Sequence, residues 1–162
     1  MSQARSLHIR KEPLEVELAL AGCPARRVSL FLAEHGVHAF ARQTVLDLLE
    51  QVETFLPARD LETGLSESFN ARAVVWIAMS REALEEEGSA DQLFEHRRFV
   101  HVALAAGDWL EGEILYSAPD GEARLVDHLN RPERFLRLWH GDRVLLVNKQ
   151  SVMRILEDSE GR

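Results

Sequence analysis

The side chains in this sequence that could do chemistry are seven histidines, one cysteine and 27 acidic residues. His35-Gly-Val-His38 has the i, i+3 spacing of a ligand pair, but it spans a glycine in a predicted loop with no cysteine nearby. Zinc asks for three or more converging protein ligands, so no metal site is predicted there. His96 and His101 fall at a helix-to-strand junction, and His128 and His140 beside turns, where surface or capping roles are expected. Cys23 stands alone, which excludes an internal disulfide and any multi-cysteine zinc or iron–sulfur site. It sits beside Pro24 with no histidine close in sequence, and its expected role is that of a buried structural thiol.

Motifs for covalent or nucleotide chemistry are missing from the chain. There is no G-x-S-x-G elbow to present a serine, no G-x-G-x-x-G turn and no phosphate-cradling P-loop. The R-x-x-x-R arm and [DN]-x-S-x-x-G strand of cyclic-dinucleotide-binding PilZ barrels do not appear intact. Paired carboxylates of glycosidase type cannot be picked out among so many acids. The expectation is a protein without catalytic residues, metal or cofactor.

Charge narrows the partners. The net charge is −8 and the sequence pI about 5.4, with one compact basic run, Glu95-His-Arg-Arg98. Nucleic-acid binding draws on clustered Lys and Arg that displace counterions, so nucleic acid and anionic membranes are disfavoured. The longest apolar run, Ala73-Val-Val-Trp-Ile-Ala-Met79, has a strand's length and falls far short of the roughly 18 residues of a membrane helix. The N-terminal segment lacks the apolar core of a signal peptide, and the cytoplasm is the expected compartment.

The elements that would position any site follow from hydrophobic period. Leu14-Glu-Val-Glu-Leu-Ala-Leu20 and Arg27-Val-Ser-Leu-Phe-Leu-Ala33 alternate as half-buried strands, and Gly22, Cys23 and Pro24 break between them. Val45, Leu48, Leu49 and Val52 form one helical stripe, with Thr44 as N-cap and Asp47 in the first turn. Thr54-Phe-Leu-Pro57 reads as a short edge strand, residues 60–71 as a polar loop, and 73–79 as a buried strand with Trp76 in the core. Ser80 can cap a helix over 81–87, and Ser89 with Gln92 a second one. Strands then return at Phe99–Ala105 and Glu113–Ser117. Pro119-Asp-Gly121 makes a turn, residues 125–129 a helical turn, and 135–139, 144–147 and 152–156 three more strands.

The order strand, strand, short helix, strand, strand occurs twice. Val45–Leu56 aligns with Leu125–Leu136 without a gap: Asp47 meets Asp127, Leu49 meets Leu129, Glu53 meets Glu133, and Phe55-Leu56 meets Phe135-Leu136. Val16–Leu20 likewise resembles Val100–Leu104, and Ala73–Ile77 falls where Arg143–Val147 does, with the 60–71 loop as the first copy's extra length. Phe55, Leu56, Phe135 and Leu136 are therefore expected in the core, and the two aspartates are expected to satisfy backbone donors. The predicted organisation is a flexible leader (1–12), a first small β-barrel-like unit (13–79), a helical connector (80–97), a second unit (98–157) and a tail (158–162).

Three short motifs carry a resemblance over residues 99–157: Asp127-His-Leu-Asn130, Phe135-Leu-Arg-Leu138 and Val147-Asn-Lys-Gln-Ser-Val152. With these, the second half resembles uncharacterised bacterial small β-barrel domains of Sm-like or SH3-like type. The resemblance implies a compact five-stranded barrel and brings no activity with it. In the first half, Ala78-Met-Ser80 stands where Asn148-Lys-Gln150 would be expected. The predicted fold class is thus mostly β with short helices, as two tandem small barrels.

Trp109, just past a Gly-Asp turn, and Trp139, just before His140-Gly-Asp142, are expected first to lid the barrel core, with anchoring of a protein partner as the competing reading that makes them candidate site residues. Asn148 and Lys149 join them as candidate partner-binding residues. The leading expectation is a non-catalytic interaction or adaptor module in a bacterial regulatory or cytoskeletal assembly, with homo-oligomerisation open. A small-ligand sensor with a pocket between the halves, and an Sm-like RNA binder, are the alternatives.

Overall fold

The computed structural model describes residues 11–33, 43–51, 54–86, 94–118 and 124–158. The first half runs β1 (Lys11–Leu20), β2 (Arg26–Ala33), α1 (Val45–Glu50), β3 (Phe55–Asp60), β4 (Ser66–Asn70), a 3₁₀ turn (Ala71–Ala73) and β5 (Val74–Ser80). Helix α2 (Arg81–Glu86) follows. The second half repeats the series as β6 (His96–Leu104), β7 (Trp109–Tyr116), α3 (Leu125–Leu129), β8 (Phe135–His140), β9 (Arg143–Asn148), a 3₁₀ turn (Lys149–Ser151) and β10 (Val152–Glu157).

Local chemistry explains most of these boundaries. In β1 and β2 the alternating Val16, Leu18, Val28 and Leu30 are buried, as a sheet with one covered face requires. Thr44 and Asp47 form a reciprocal capping box, with each side chain accepting from the other's backbone N–H at 3.0 Å. Ser80 Oγ accepts from Ala83 N at the start of α2. The turns β1–β2, β3–β4, β6–β7 and β8–β9 each carry a glycine with positive φ: Gly22, Gly64, Gly107 and Gly141.

The ten strands form one open antiparallel sheet in the order β10-β6-β7-β8-β9-β5-β1-β2-β3-β4. Two separate barrels joined only by a connector were expected; a continuous sheet is found, because β5 and β9 pair over five residues from Trp76↔Val147 to Ser80↔Arg143. Within that line the halves have the same neighbour order, β5-β1-β2-β3-β4 and β10-β6-β7-β8-β9. The correspondence reaches single residues. Asn70 and Asn148 both cap a 3₁₀ turn by accepting from the N–H two residues on. The register then slips past Val75 in the β1–β5 ladder and past Met153 in the β10–β6 ladder. Ala73 O and Ser151 O each accept from the end of the neighbouring hairpin, Ala21 N and Ala105 N, at 2.8 and 2.9 Å.

This register corrects the sequence alignment in its C-terminal part. β5 corresponds to β10 and not to β9, and the expected loop over 60–71 contains β4, which is the counterpart of β9. Asn70, rather than Ala78, stands where Asn148 does. β3 is an interior strand: it pairs with β2 only at residues 58–60, so Pro57 lies beyond that ladder and its missing N–H costs no bond there. Phe55 is exposed while Leu56, Phe135 and Leu136 are buried. Cys23 is exposed, in the turn between β1 and β2 rather than in a strand facing the core. Trp76 is half-buried against the second core. The expected helix from Ser89, the loop at His35–His38, the turn at Pro119–Gly121, the leader's first ten residues and the last four of the tail lie outside the described residues.

Two hydrophobic clusters result. The first collects Val16, Leu18, Val28, Leu30, Val45, Leu49 and Ile77, and the second Val100, Val102, Ile114, Tyr116 and Leu138. The junction strands serve both. Val144 and Leu146 of β9 enter the first cluster, while Leu145 and Val147 face the second; Ile77 and Met79 of β5 face the first, and Ala78 the second. At Gly112, where β7 approaches β8, a Cβ would lie 2.4 Å from Trp139 O, so only glycine fits.

Candidate functional site

The four sequence candidates separate into three environments. Trp109 opens β7 and is 49% exposed, with the Arg154 guanidinium 5.3 Å from its ring centre. Trp139 lies on β8, half-buried against the first core under Arg81 at 5.1 Å. Asn148 is buried: its amide donates to Val74 O at 2.9 Å and its Oδ1 accepts from Gln150 N at 3.0 Å. It ties the second half to the first residue of β5. Lys149 Nζ donates to Arg131 O at 2.9 Å, and burial holds its pKa below the usual lysine range against the pull of Glu133 and Glu50. Only Trp109 of the four stands on a freely exposed surface.

That surface is the β10 end of the sheet. Met153 and Leu156 are 71% and 44% exposed, and Leu156 stands opposite His101 with Arg154 opposite Ala103. Ala103 in turn faces Trp109, so Trp109, Arg154 and Leu156 share the outer face of β6, β7 and β10. Arg98 with Glu157 at 3.9 Å and Arg97 with Glu113 at 3.7 Å are loose ion pairs nearby. No strand pairs with the outer side of β10 among the described residues, which leaves its outward backbone N–H and C=O groups available.

The inner side of the same strand is unfinished. Val74 and Ile77 of β5 are completely buried in the first cluster with Val144 and Leu146 of β9, which pairs Leu146 with Ile77 and ends on Asn148, bonded to Val74 O. Their counterparts Val152 and Ile155 of β10 pack on the second core yet remain only half-buried. The opposite end of the sheet is different. β4 has Ser66 and Ser68 where β9 has Val144 and Leu146, and Glu67 is held by Arg26 through two hydrogen bonds of 2.6 and 2.7 Å. Asp60 joins that cluster at 3.0 Å from Arg26. β4 is thus a short polar edge, and β10 an apolar one.

Sequence reading missed this edge because Val152–Leu156 carries apolar side chains on both faces and looks like any buried strand. The mixture of faces was the available signal. His96 and His128 each lie against the Tyr116 ring, at 5.2 and 5.0 Å, His101 faces the Glu111 carboxylate at 3.8 Å, and His140 Nδ1 is 3.0 Å from Glu111 O. Among the described residues no group of three or more His, Cys, Asp or Glu could hold a metal, and no helix is long and apolar enough to cross a membrane. No family model, curated protein or solved structure matches the chain.

Proposed function

We propose that this protein is a non-catalytic adaptor whose β10 edge receives an extended strand from another protein. The observation that carries the reading is the contrast between Val74 and Ile77, fully buried beside β9, and Val152 and Ile155, half-buried with no strand on that side of β10 among the described residues. On this reading each half is a small barrel-like unit, in keeping with the resemblance of the second half to small β-barrel domains. Among the described residues the second unit has no strand in the place that β9 takes beside the first.

The internal junction also specifies the guest. A strand that binds β10 as β9 binds β5 runs antiparallel and places apolar residues at alternate positions, as Val144 and Leu146 do. Main-chain bonds supply affinity and the alternate side chains supply selectivity. Trp109 and Arg154 flank the outer face and anchor whatever follows the strand. The chain's own β4 is a poor guest, because Ser66 and Ser68 would face apolar surface without polar partners.

A peptide spanning residues 141–150, added in trans, tests this directly. It should protect the β10 amides from hydrogen exchange, and the same peptide with serine at positions 144 and 146 should not. Met153→Asp with Leu156→Asp, both at exposed positions, should abolish the protection with the fold intact by circular dichroism. Equal protection by both peptides, or none by either, sinks the reading.

A further inference from the structure

We propose that the cleft between α1 and the second half of the sheet is a binding site for a compact organic anion, bearing one carboxylate or phosphate on an apolar body. The cleft has a volume of about 290 Å³, near the lower end of the roughly 300–1,000 Å³ of small-molecule sites. Leu46 of α1 forms one side. The end of β7, the segment after α3, β8 and Lys149 form the others.

Its charge opposes that of the whole molecule. The chain carries a net −8, yet the cleft is lined by Arg131, Arg137 and Lys149 against a single carboxylate, Glu133. How these cations are held matters more than their number. Elsewhere carboxylates take up arginines: Arg26 with Glu67, Arg143 with Glu17 at 2.5 Å, Arg134 with Glu50, and Arg124 with Asp127. In the cleft, Lys149 Nζ instead donates to Arg131 O, and the Arg131 guanidinium donates to Ser117 O, both at 2.9 Å. Backbone carbonyls fix both groups in place, and no carboxylate among the described residues comes within ion-pair distance of either, although Glu133 and Glu50 act on Lys149 from farther off. The Arg137 side chain has no hydrogen-bond or ion-pair partner among the described residues. Arg137 and Lys149 are half-buried and Arg131 lies exposed at the rim, and cations that outnumber the nearby carboxylates and have no close ion pair favour an anion that enters.

The remaining walls fit the rest of such a ligand. Leu129, Phe135 and Trp139 line the cleft beside Leu46 and would cover an aliphatic or aromatic body. His128 also lines it, stacked on Tyr116. Its Nδ1 is buried without a hydrogen-bond partner among the described residues, the one such side-chain atom found there.

Ligand-observed NMR with a set of small aromatic and aliphatic carboxylates and phosphate monoesters, each beside its neutral amide or alcohol, tests the proposal. The carboxylate and phosphate arms reveal which anion is preferred. Charged members should bind at one mutually competitive site and their neutral counterparts at least ten-fold more weakly. Arg137→Gln, which removes no side-chain hydrogen bond or ion pair among the described residues, should weaken binding about ten-fold, while Trp109→Ala leaves it unchanged. Inorganic phosphate alone should bind more weakly than the esters. No binding by any charged member, equal binding by the neutral ones, or indifference to Arg137→Gln would overturn the assignment. The cleft and the β10 edge share no residue, so either can fail without the other.

Discussion

His128 shows how much a single position can depend on surroundings that no motif announces. Burial lowers its pKa below the usual histidine value; Arg131 and Lys149 push the same way and Glu133 opposes them. Tyr116 is stacked on the ring from the sheet side, with His96 on Tyr116 in turn. Above the ordinary imidazole pKa of about 6.5 the group is neutral in both folded and unfolded chains. As pH falls through that value the unfolded chain takes up the proton while the folded one resists, so stability drops, and the loss levels off below the folded-state pKa. Denaturant unfolding at pH 7.5 and 5 should therefore show a stability loss that His128→Gln reduces; identical losses would mean that the imidazole titrates as it does in the unfolded chain. The sequence placed this histidine beside a turn, and it is there. Apart from Arg131, three residues on, its surroundings come from β7 and the turn at Lys149, distant along the chain, so no local pattern could show them. Asn148 teaches the same lesson. Its motif marked it as special, but its partner Val74 O lies in the other half, and only the register reveals that the side chain is spent on joining them.

Among the elements, those with a strong local period were readable and those defined by pairing were not. The stripe Val45, Leu48 and Leu49 gave α1 its position, and its match to residues 125–129 located α3. β4 escaped because Ser-Glu-Ser-Phe-Asn holds one buried apolar residue, Phe69, and reads as loop. Its identity as a strand rests on five pairings with β3. The polar character that hid it has a consequence for assembly. β4 and β10 are the two ends of a sheet whose internal junction joins a β9 to a β5, their counterparts, and such head-to-tail contacts can propagate without closing. Ser66 and Ser68 block that pairing, as charged or polar residues commonly guard edges. Ser66→Val with Ser68→Leu restores the residues that β9 uses and should produce concentration-dependent oligomers in sedimentation velocity, which Leu156→Asp on β10 reverses. If the double variant sediments like the parent, the serines are not what keeps the edges apart.

At the scale of the whole molecule, the two copies are bound into one cooperative body by sharing strands. The repeat itself was legible from Asp47/Asp127 and Phe55-Leu56/Phe135-Leu136, but sequence similarity says only that two units exist. Their union rests on β9 sending Val144 and Leu146 into the first core and β5 sending Ala78 into the second. Polar straps reinforce it. Glu50 of α1 accepts from the N–H groups of Arg134 and Phe135 at 2.9 and 3.2 Å, Arg134 reaches back to Leu49 O, and Arg143 pairs with Glu17. A core strand owned by one half and buried in the other couples their unfolding, since neither cluster is complete once the junction parts. Leu146→Ala, which removes a side chain only 1% exposed, should cost roughly 2–5 kcal/mol. Although Leu146 belongs to the second half by sequence and to the first core by packing, the loss should appear equally in both. Native-state hydrogen exchange reads this directly, through the amides of β2 in the first half and β7 in the second. A fall in protection confined to β2 would mean that the halves open independently and that the junction is a contact between domains rather than a shared core.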